Sequence, residues 1–165
     1  MSAPVIRPLV RSDWPAVEPI IREVLAAGET YCAEAAMDAA ALREFWLSDE
    51  HTVVAEVDGV VVGTAHCGPN RPAQGSHVGT ASFMVGTAAR GHGIGRALGE
   101  HVVEWHRRMG FRGIQFNAVV ASNFFAVRLW QSLGFEIVGT VPGAFRLPSG
   151  EYVGLHVMYL DLTRS

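Results

Sequence analysis

The stretch Arg90-Gly91-His92-Gly93-Ile94-Gly95-Arg96 constrains this chain more than any other. Before it lies His77–Val85, which reads as a strand. After it come Ile94, Leu98, Val102 and Trp105, an apolar stripe at helical spacing that runs to about Met109, where Gly110 stops it. Next comes a second strand, Ile114–Val120. A strand, a turn, a helix and a strand form a crossover, and such crossovers are right-handed, so the two strands are expected to be parallel. The glycine turn then sits where the helix begins. A helix start offers unpaired N–H groups and the positive end of the helix dipole. Glycines let an anion approach that backbone, and Arg90 and Arg96 add charge-assisted hydrogen bonds. The segment predicts a phosphate-binding turn at the carboxyl edge of a parallel strand pair.

The remaining elements extend this unit. Val5–Leu9 reads as a short strand. Ser12 or Asp13 can cap a helix whose buried side is Val17, Ile20, Ile21, Val24 and Leu25, and Gly28 ends it. Asp38 can cap a second helix with Leu42, Phe45, Trp46 and Leu47 as its apolar side. Thr52–Val57 and Val60–His66 flank Asp58-Gly59, the signature of a two-residue hairpin. Gly68–Ser76 reads as a loop. Asn123 can cap a helix that Gly134 closes after Leu133. Phe135–Val141 and Tyr152–Leu160 are strands joined by a loop holding Pro142, Gly143, Pro148 and Gly150. The expected fold class is α/β, a single domain over residues 1–165. Its mixed central sheet would have about six or seven strands and about four helices, with the parallel pair forming the ligand cleft.

Composition removes several functions. All 13 basic residues are arginine and none is lysine. That excludes a P-loop and Schiff-base chemistry, both of which require the lysine amine. A net charge of -3 disfavours nucleic acid as a partner. Cys32 and Cys67 make neither a disulfide framework nor a zinc quartet, which suits a reducing cytoplasm. No apolar run approaches the length of a membrane span, and Met1–Pro8 lacks the apolar core of a secretion signal, so no membrane partner is expected. The seven histidines suggest no metal site: His101 and His106 do not share a helical face, and no H-E-x-x-H occurs. A dinucleotide site would need a glycine where Arg96 stands and an acidic residue ending Ile114–Val120; both are missing.

Two helices, one starting at the glycine turn and one at Asn123, begin at the same sheet edge, where ligands of open α/β sheets bind. The run Phe83-Met84-Val85, then Arg90-x-x-Gly93-x-Gly95, then Asn123-x-x-Ala126-x-x-Leu129-Trp130-x-x-Leu133-Gly134-Phe135 resembles the GNAT N-acetyltransferase superfamily. The likeness covers nearly the whole chain. The segments Glu29-Thr30-Tyr31 and Leu129–Phe145 look like the branch acting on small amino acids and their analogues, which includes phosphinothricin and azetidine-carboxylate acetyltransferases.

The resemblance implies acetyl transfer from acetyl-CoA to an amine, without a metal and without a covalent enzyme intermediate. The backbone N–H groups of Gly91, His92, Gly93, Ile94, Gly95 and Arg96, with the Arg90 and Arg96 side chains beside them, would bind the pyrophosphate, and Ala97 would also contact the cofactor. Phe83, Met84 and Val85 would pair with the pantetheine arm, and a backbone N–H at Met84 or Val85 would polarise the thioester carbonyl. Asn123 and Ala126 would contact the pantetheine. Trp130 departs from the family pattern, where a tyrosine protonates the leaving thiolate; an indole N–H is no useful acid. The likeness is also compatible with a homodimer.

The acceptor side carries fewer signals. Asn117 lies within an apolar strand, on the face opposite Ile114, Phe116, Ala118 and Val120, and reads as a buried amide that contacts acceptor or thioester, or is satisfied by neighbouring backbone. Glu29 and Tyr31 are candidates for a general base and a pocket wall, or for an exposed loop. His66 or His77 could relay a proton through water, or cap or line the core. The acceptor is expected to be a small-molecule amine. A protein N-terminus, an aminoglycoside or a polyamine is the alternative, and a non-catalytic CoA-binding module is a third reading.

Overall fold

The computed structural model describes residues 2–164. Its sheet has seven strands in the order β1-β2-β3-β4-β5-β7-β6. These are β1 Val5–Pro8, β2 His51–Val57, β3 Val60–Pro69, β4 Val78–Val85, β5 Gly113–Val120, β6 Glu136–Arg146 and β7 Tyr152–Asp161. The helices are α1 Trp14–Ala27, α2 Ala39–Leu47, α3 Ile94–Arg108 and α4 Phe124–Ser132. The expected element order and the mixed sheet are both present, and β4–β5 is the parallel pair.

The two faces of the sheet are covered by different helices. On one face α1 and α2 bury Val17, Ile21, Leu42 and Trp46 against Val54 and Met84. On the other, α3 packs Ile94, Leu98 and Val102 on Val53, Ala55, Ala65 and Cys67. Side chains alternate along a strand, so Met84 faces α1 while Phe83 and Val85 face α3. The helix α4 lays Trp130 over Phe116, Phe135 and Met158. A Cβ on Gly99 would come within 2.9 Å of both Leu133 and Trp130, so glycine there is what lets α3 and α4 approach.

Three sequence expectations need correction. The strand β3 runs on to Pro69, so the expected loop starts later than Gly68. The strand β6 extends through Pro142 and Gly143 to Arg146, with an irregularity between Val141 and Phe145. It is an edge strand and needs no donor from Pro142 on its outer side, which is why proline is tolerated. In β5 the register shifts between Phe116 and Val119. That bulge exposes Asn117 and Ala118 and buries Val119 and Val120 instead. Asn117 is thus no buried amide, and Ala118 does not share the buried face of Ile114 and Phe116.

Candidate active site

The parallel pair β4–β5 is short. The strands pair only at Val78 with Gly113 and Gly79 with Ile114, and beyond that they diverge. A cleft of about 1360 Å³ passes through the gap. This exceeds the ~300–1,000 Å³ typical of a pocket for one drug-sized molecule. One arm of the cleft opens between the starts of α3 and α4. The other opens under the segment that follows α1 and under the β6–β7 turn, at Leu147 and Pro148.

The first arm is built by the glycine turn. Gly91 and Gly93 have φ of 78° and 79°, a backbone region that disfavours side chains, and a Cβ at either would meet nothing within 4 Å. The turn presents bare backbone to open space. The first intrahelical bond of this turn runs from the Ala97 N–H to the Gly93 carbonyl, 3.0 Å, so the N–H groups of Ile94, Gly95 and Arg96 have no intrahelical acceptor. Ala97 spends its own N–H inside the helix and is not on the cleft wall, contrary to expectation. His92 also turns away, with its Nδ1 3.0 Å from the Arg90 carbonyl. Arg90, Gly91, Gly93, Ile94, Gly95 and Arg96 do line the cleft. Arg96 donates to Ser132 Oγ at 2.6 Å, which fixes its guanidinium beside α4. On the other side, the Glu23 carboxylate of α1 accepts the Thr87 N–H at 3.0 Å. That bond ties down the approach to the glycine turn and holds the Glu23 pKa below the usual carboxylate range.

Across the arm, Asn123 caps α4 by accepting the Ala126 N–H at 3.3 Å. Asn123 and Ala126 both line the cleft. Trp130 forms the floor of the gap. Its ring centroid lies 4.5 Å from Phe83 and 5.0 Å from Phe116, so it wedges between the diverging strands.

The two arms meet at Phe83. The Tyr31 hydroxyl donates to the Phe83 carbonyl at 2.7 Å and accepts the Phe83 N–H at 2.8 Å. Phe83 therefore turns both backbone groups toward the open edge. In an antiparallel ladder this orientation alternates, so Val85 also faces the opening, while Met84 bonds to β3. Of the two N–H groups expected to polarise a thioester, alternation leaves Val85 facing the cleft. Burial pushes the Tyr31 hydroxyl up to about 12, so it stays neutral.

The second arm is lined by Glu29, Tyr31, Phe45, His66, Ser82 and Asn117. Glu29 is exposed at its mouth. Asn117 Nδ2 donates to Asn70 Oδ1 at 2.6 Å, and Asn117 Oδ1 accepts from Asn70 at 3.1 Å and from Gln115 at 2.9 Å. Sequence reasoning missed Asn70 and Gln115. Asn70 stands 47 residues from Asn117 and reads as a loop residue, and the added length of β3 is what brings it near. Among the described residues there is no group of three or more side chains placed to hold a metal. Among the described residues, no helix is long and apolar enough to cross a membrane.

Comparison with known proteins decides the family. Residues 14–135 match the model of the acetyltransferase (GNAT) family. The chain belongs to that family. A solved GCN5-related N-acetyltransferase from Kribbella flavida is 49% identical, covers 96% of this chain and 98% of its own, and superposes with a TM-score of 0.93. A ribosomal-protein-alanine N-acetyltransferase from Brucella melitensis is 30% identical, with coverage of 95% and 99% and a TM-score of 0.81. A GNAT superfamily phosphinothricin acetyltransferase from Sinorhizobium meliloti, solved in complex with AcCoA, is 25% identical, with coverage of 97% and 89% and a TM-score of 0.86. The chain spans about half or less of the length of the curated relatives it matches.

Proposed function

We propose that this GNAT protein transfers the acetyl group of acetyl-CoA to the amine of a small molecule, an amino acid or an analogue of one. The observation that supports this most is the divergence of β4 from β5 directly beside a helix start bearing bare glycine backbone. The donor set fits a pyrophosphate joined to a long, narrow arm. The unpaired N–H groups at Ile94, Gly95 and Arg96 and the side chains of Arg90 and Arg96 would hold the phosphates. The open edge at Phe83 and Val85 would pair with the amides of the arm, with the Val85 N–H as the candidate donor to the thioester oxygen. The S. meliloti neighbour carries AcCoA, which fits this donor.

Acetyl-CoA would supply an activated carbonyl, and the protein would supply position and proton removal. Glu29 at the mouth of the second arm would attract the acceptor's ammonium, and Tyr31 would wall its path. Asn117 is held by Asn70 and Gln115 in one orientation, suited to a polar group of the acceptor. With Trp130 packed among aromatics, the thiolate would leave without a side-chain acid at that position. A thiol pKa near ~8.5 makes that departure feasible at neutral pH. The B. melitensis neighbour supports a second reading, a protein N-terminus as acceptor. The test is thiol release from acetyl-CoA with amino acids, their analogues and Ala-starting peptides, each product weighed by mass spectrometry. Amino acids giving fast, saturable release support the proposal. Release by peptides alone favours the second reading, and none with any amine overturns both.

A further inference from the structure

The wall of the second arm holds a pair of side chains with no structural debt to explain their arrangement. His66 of β3 points to the α1–α2 face and lines the cleft. Its Nδ1 is hydrogen-bonded to Asp49 Oδ2, from the turn between α2 and β2. The edge of the ring is set against Trp46, with centroids 4.3 Å apart at 79°. The remaining nitrogen, Nε2, is buried and has no hydrogen-bond partner. Buried polar atoms are nearly always paired, so an orphan calls for a reason. His106 Nε2 is the other such atom, and packing explains it: a Cβ on Gly79 would come within 2.2 Å of that nitrogen, and His106 is not on the cleft wall. His66 is the one histidine on the wall among the described residues.

The position of His66 matters as much as its partners. In the β3–β4 ladder His66 pairs with Ser82, and Ala65 pairs with Phe83. The imidazole thus stands one residue along from the point where the two arms meet. An aspartate accepting from Nδ1–H fixes the neutral tautomer with its lone pair on Nε2. We propose that His66, oriented by Asp49, accepts the proton lost by the acceptor amine. This rests on the acetyl-transfer reading above and adds the residue that performs its proton step.

The acceptor arrives as an ammonium, and His66 Nε2 takes one of its protons, directly or through one water, and later passes it to solvent. The nitrogen lone pair so freed forms a C–N bond to the acetyl carbonyl carbon. The C–S bond breaks, and its electron pair leaves on sulfur as the CoA thiolate. The second proton, shed by nitrogen as the amide forms, goes to that thiolate and gives the CoA thiol. Glu29 is exposed at the mouth, whereas His66 is set in the wall. Besides Asp49, the ionisable groups on the same wall are Tyr31 and Cys32 from the segment after α1. Cys67 follows on β3 with its side chain on the opposite face.

Two measurements test this. In histidine-labelled protein, 15N NMR should show His66 as the Nδ1–H tautomer, and Asp49→Asn should shift that signal. An Nε2–H tautomer, or a signal indifferent to Asp49→Asn, overturns the proposal. In kinetics, His66→Gln should lower kcat for amino acids by ~10²–10⁴-fold, as for loss of a general base. Acetyl-CoA affinity by calorimetry should stay within about twofold, since His66 lies outside the donor arm. Hydroxylamine, largely unprotonated at neutral pH, should lose far less, about tenfold or under. A kcat within threefold of wild type, or an equal loss with both acceptors, overturns the proposal and leaves acetyl transfer standing. A wild type that releases no thiol with any amine removes the acetyl-transfer reading and the proposal together.

Discussion

The two arms of the cleft are built on different principles. The first arm, which takes the donor under the proposed function, is mostly backbone: a glycine turn, a helix start and an open strand edge. The second, the proposed acceptor arm, is mostly side chain: Tyr31, His66 and Asn117, each held by a partner distant in sequence. Backbone sites suit groups that every donor of one kind shares, such as phosphates and amides. Side-chain sites can be exchanged singly without disturbing the sheet. On the proposed function, one fold would keep its donor and change its acceptor.

That contrast can be broken most sharply at Gly93. Alanine at φ 79° costs ~1–2 kcal/mol of strain and pushes the turn out of shape. Gly93→Ala should weaken acetyl-CoA binding by about tenfold to a hundredfold in calorimetry, with acceptor KM unchanged at saturating donor. A shifted acceptor KM would mean that the arms are not separable. Next comes Trp130, wedged between the diverging strands. Trp130→Phe should lower kcat by about tenfold, below the ~10²–10⁴-fold loss of a general acid. A loss of full size in a folded, acetyl-CoA-binding variant would make the indole chemically essential.

A smaller effect is expected at the mouth. Glu29→Gln should raise acceptor KM by about threefold to tenfold while leaving acetyl-CoA affinity alone, as fits an exposed charge attracting an ammonium. Equal kinetics would return Glu29 to a solvent-facing loop. The smallest effect sharpens the boundary between the arms. The Tyr31 hydroxyl occupies both backbone groups of Phe83. Tyr31→Phe should therefore tighten acetyl-CoA binding by about twofold to fivefold, since no hydroxyl competes for that edge. With its pKa pushed up to about 12, Tyr31 is neutral on both sides of neutrality, so the variant should show no changed pH limb below pH 9 or so.

The same contrast explains what could be read from the residues alone. The strand, glycine turn and helix of residues 77–109 are contiguous, and their chemistry follows from local conformation. The residues that line the proposed donor arm were legible for that reason, whereas Ala97 and His92 do not line it. Ala97 sits one residue past the free N–H groups, and His92 folds back on Arg90. The acceptor arm depends on long-range register. Asn117 was noticed, but the bulge that exposes it and the length of β3 that brings Asn70 to it leave no local signal. Asp49 and His66 are 17 residues apart across a turn and a hairpin, and their pairing shows only once β2 and β3 are in register. Pro142 and Gly143 read as loop residues, and the edge position of β6 overrides that preference.

Phe83 is the meeting point of the two arms, and a crystal structure of the protein with acetyl-CoA tests its role most directly. Such a structure is expected to show pyrophosphate at the Gly91–Arg96 turn, the thioester arm paired to the edge of Phe83 and Val85, and the Tyr31 hydroxyl displaced from Phe83. Acetyl-CoA bound elsewhere, or bound with the Tyr31 bonds to Phe83 intact, would contradict it.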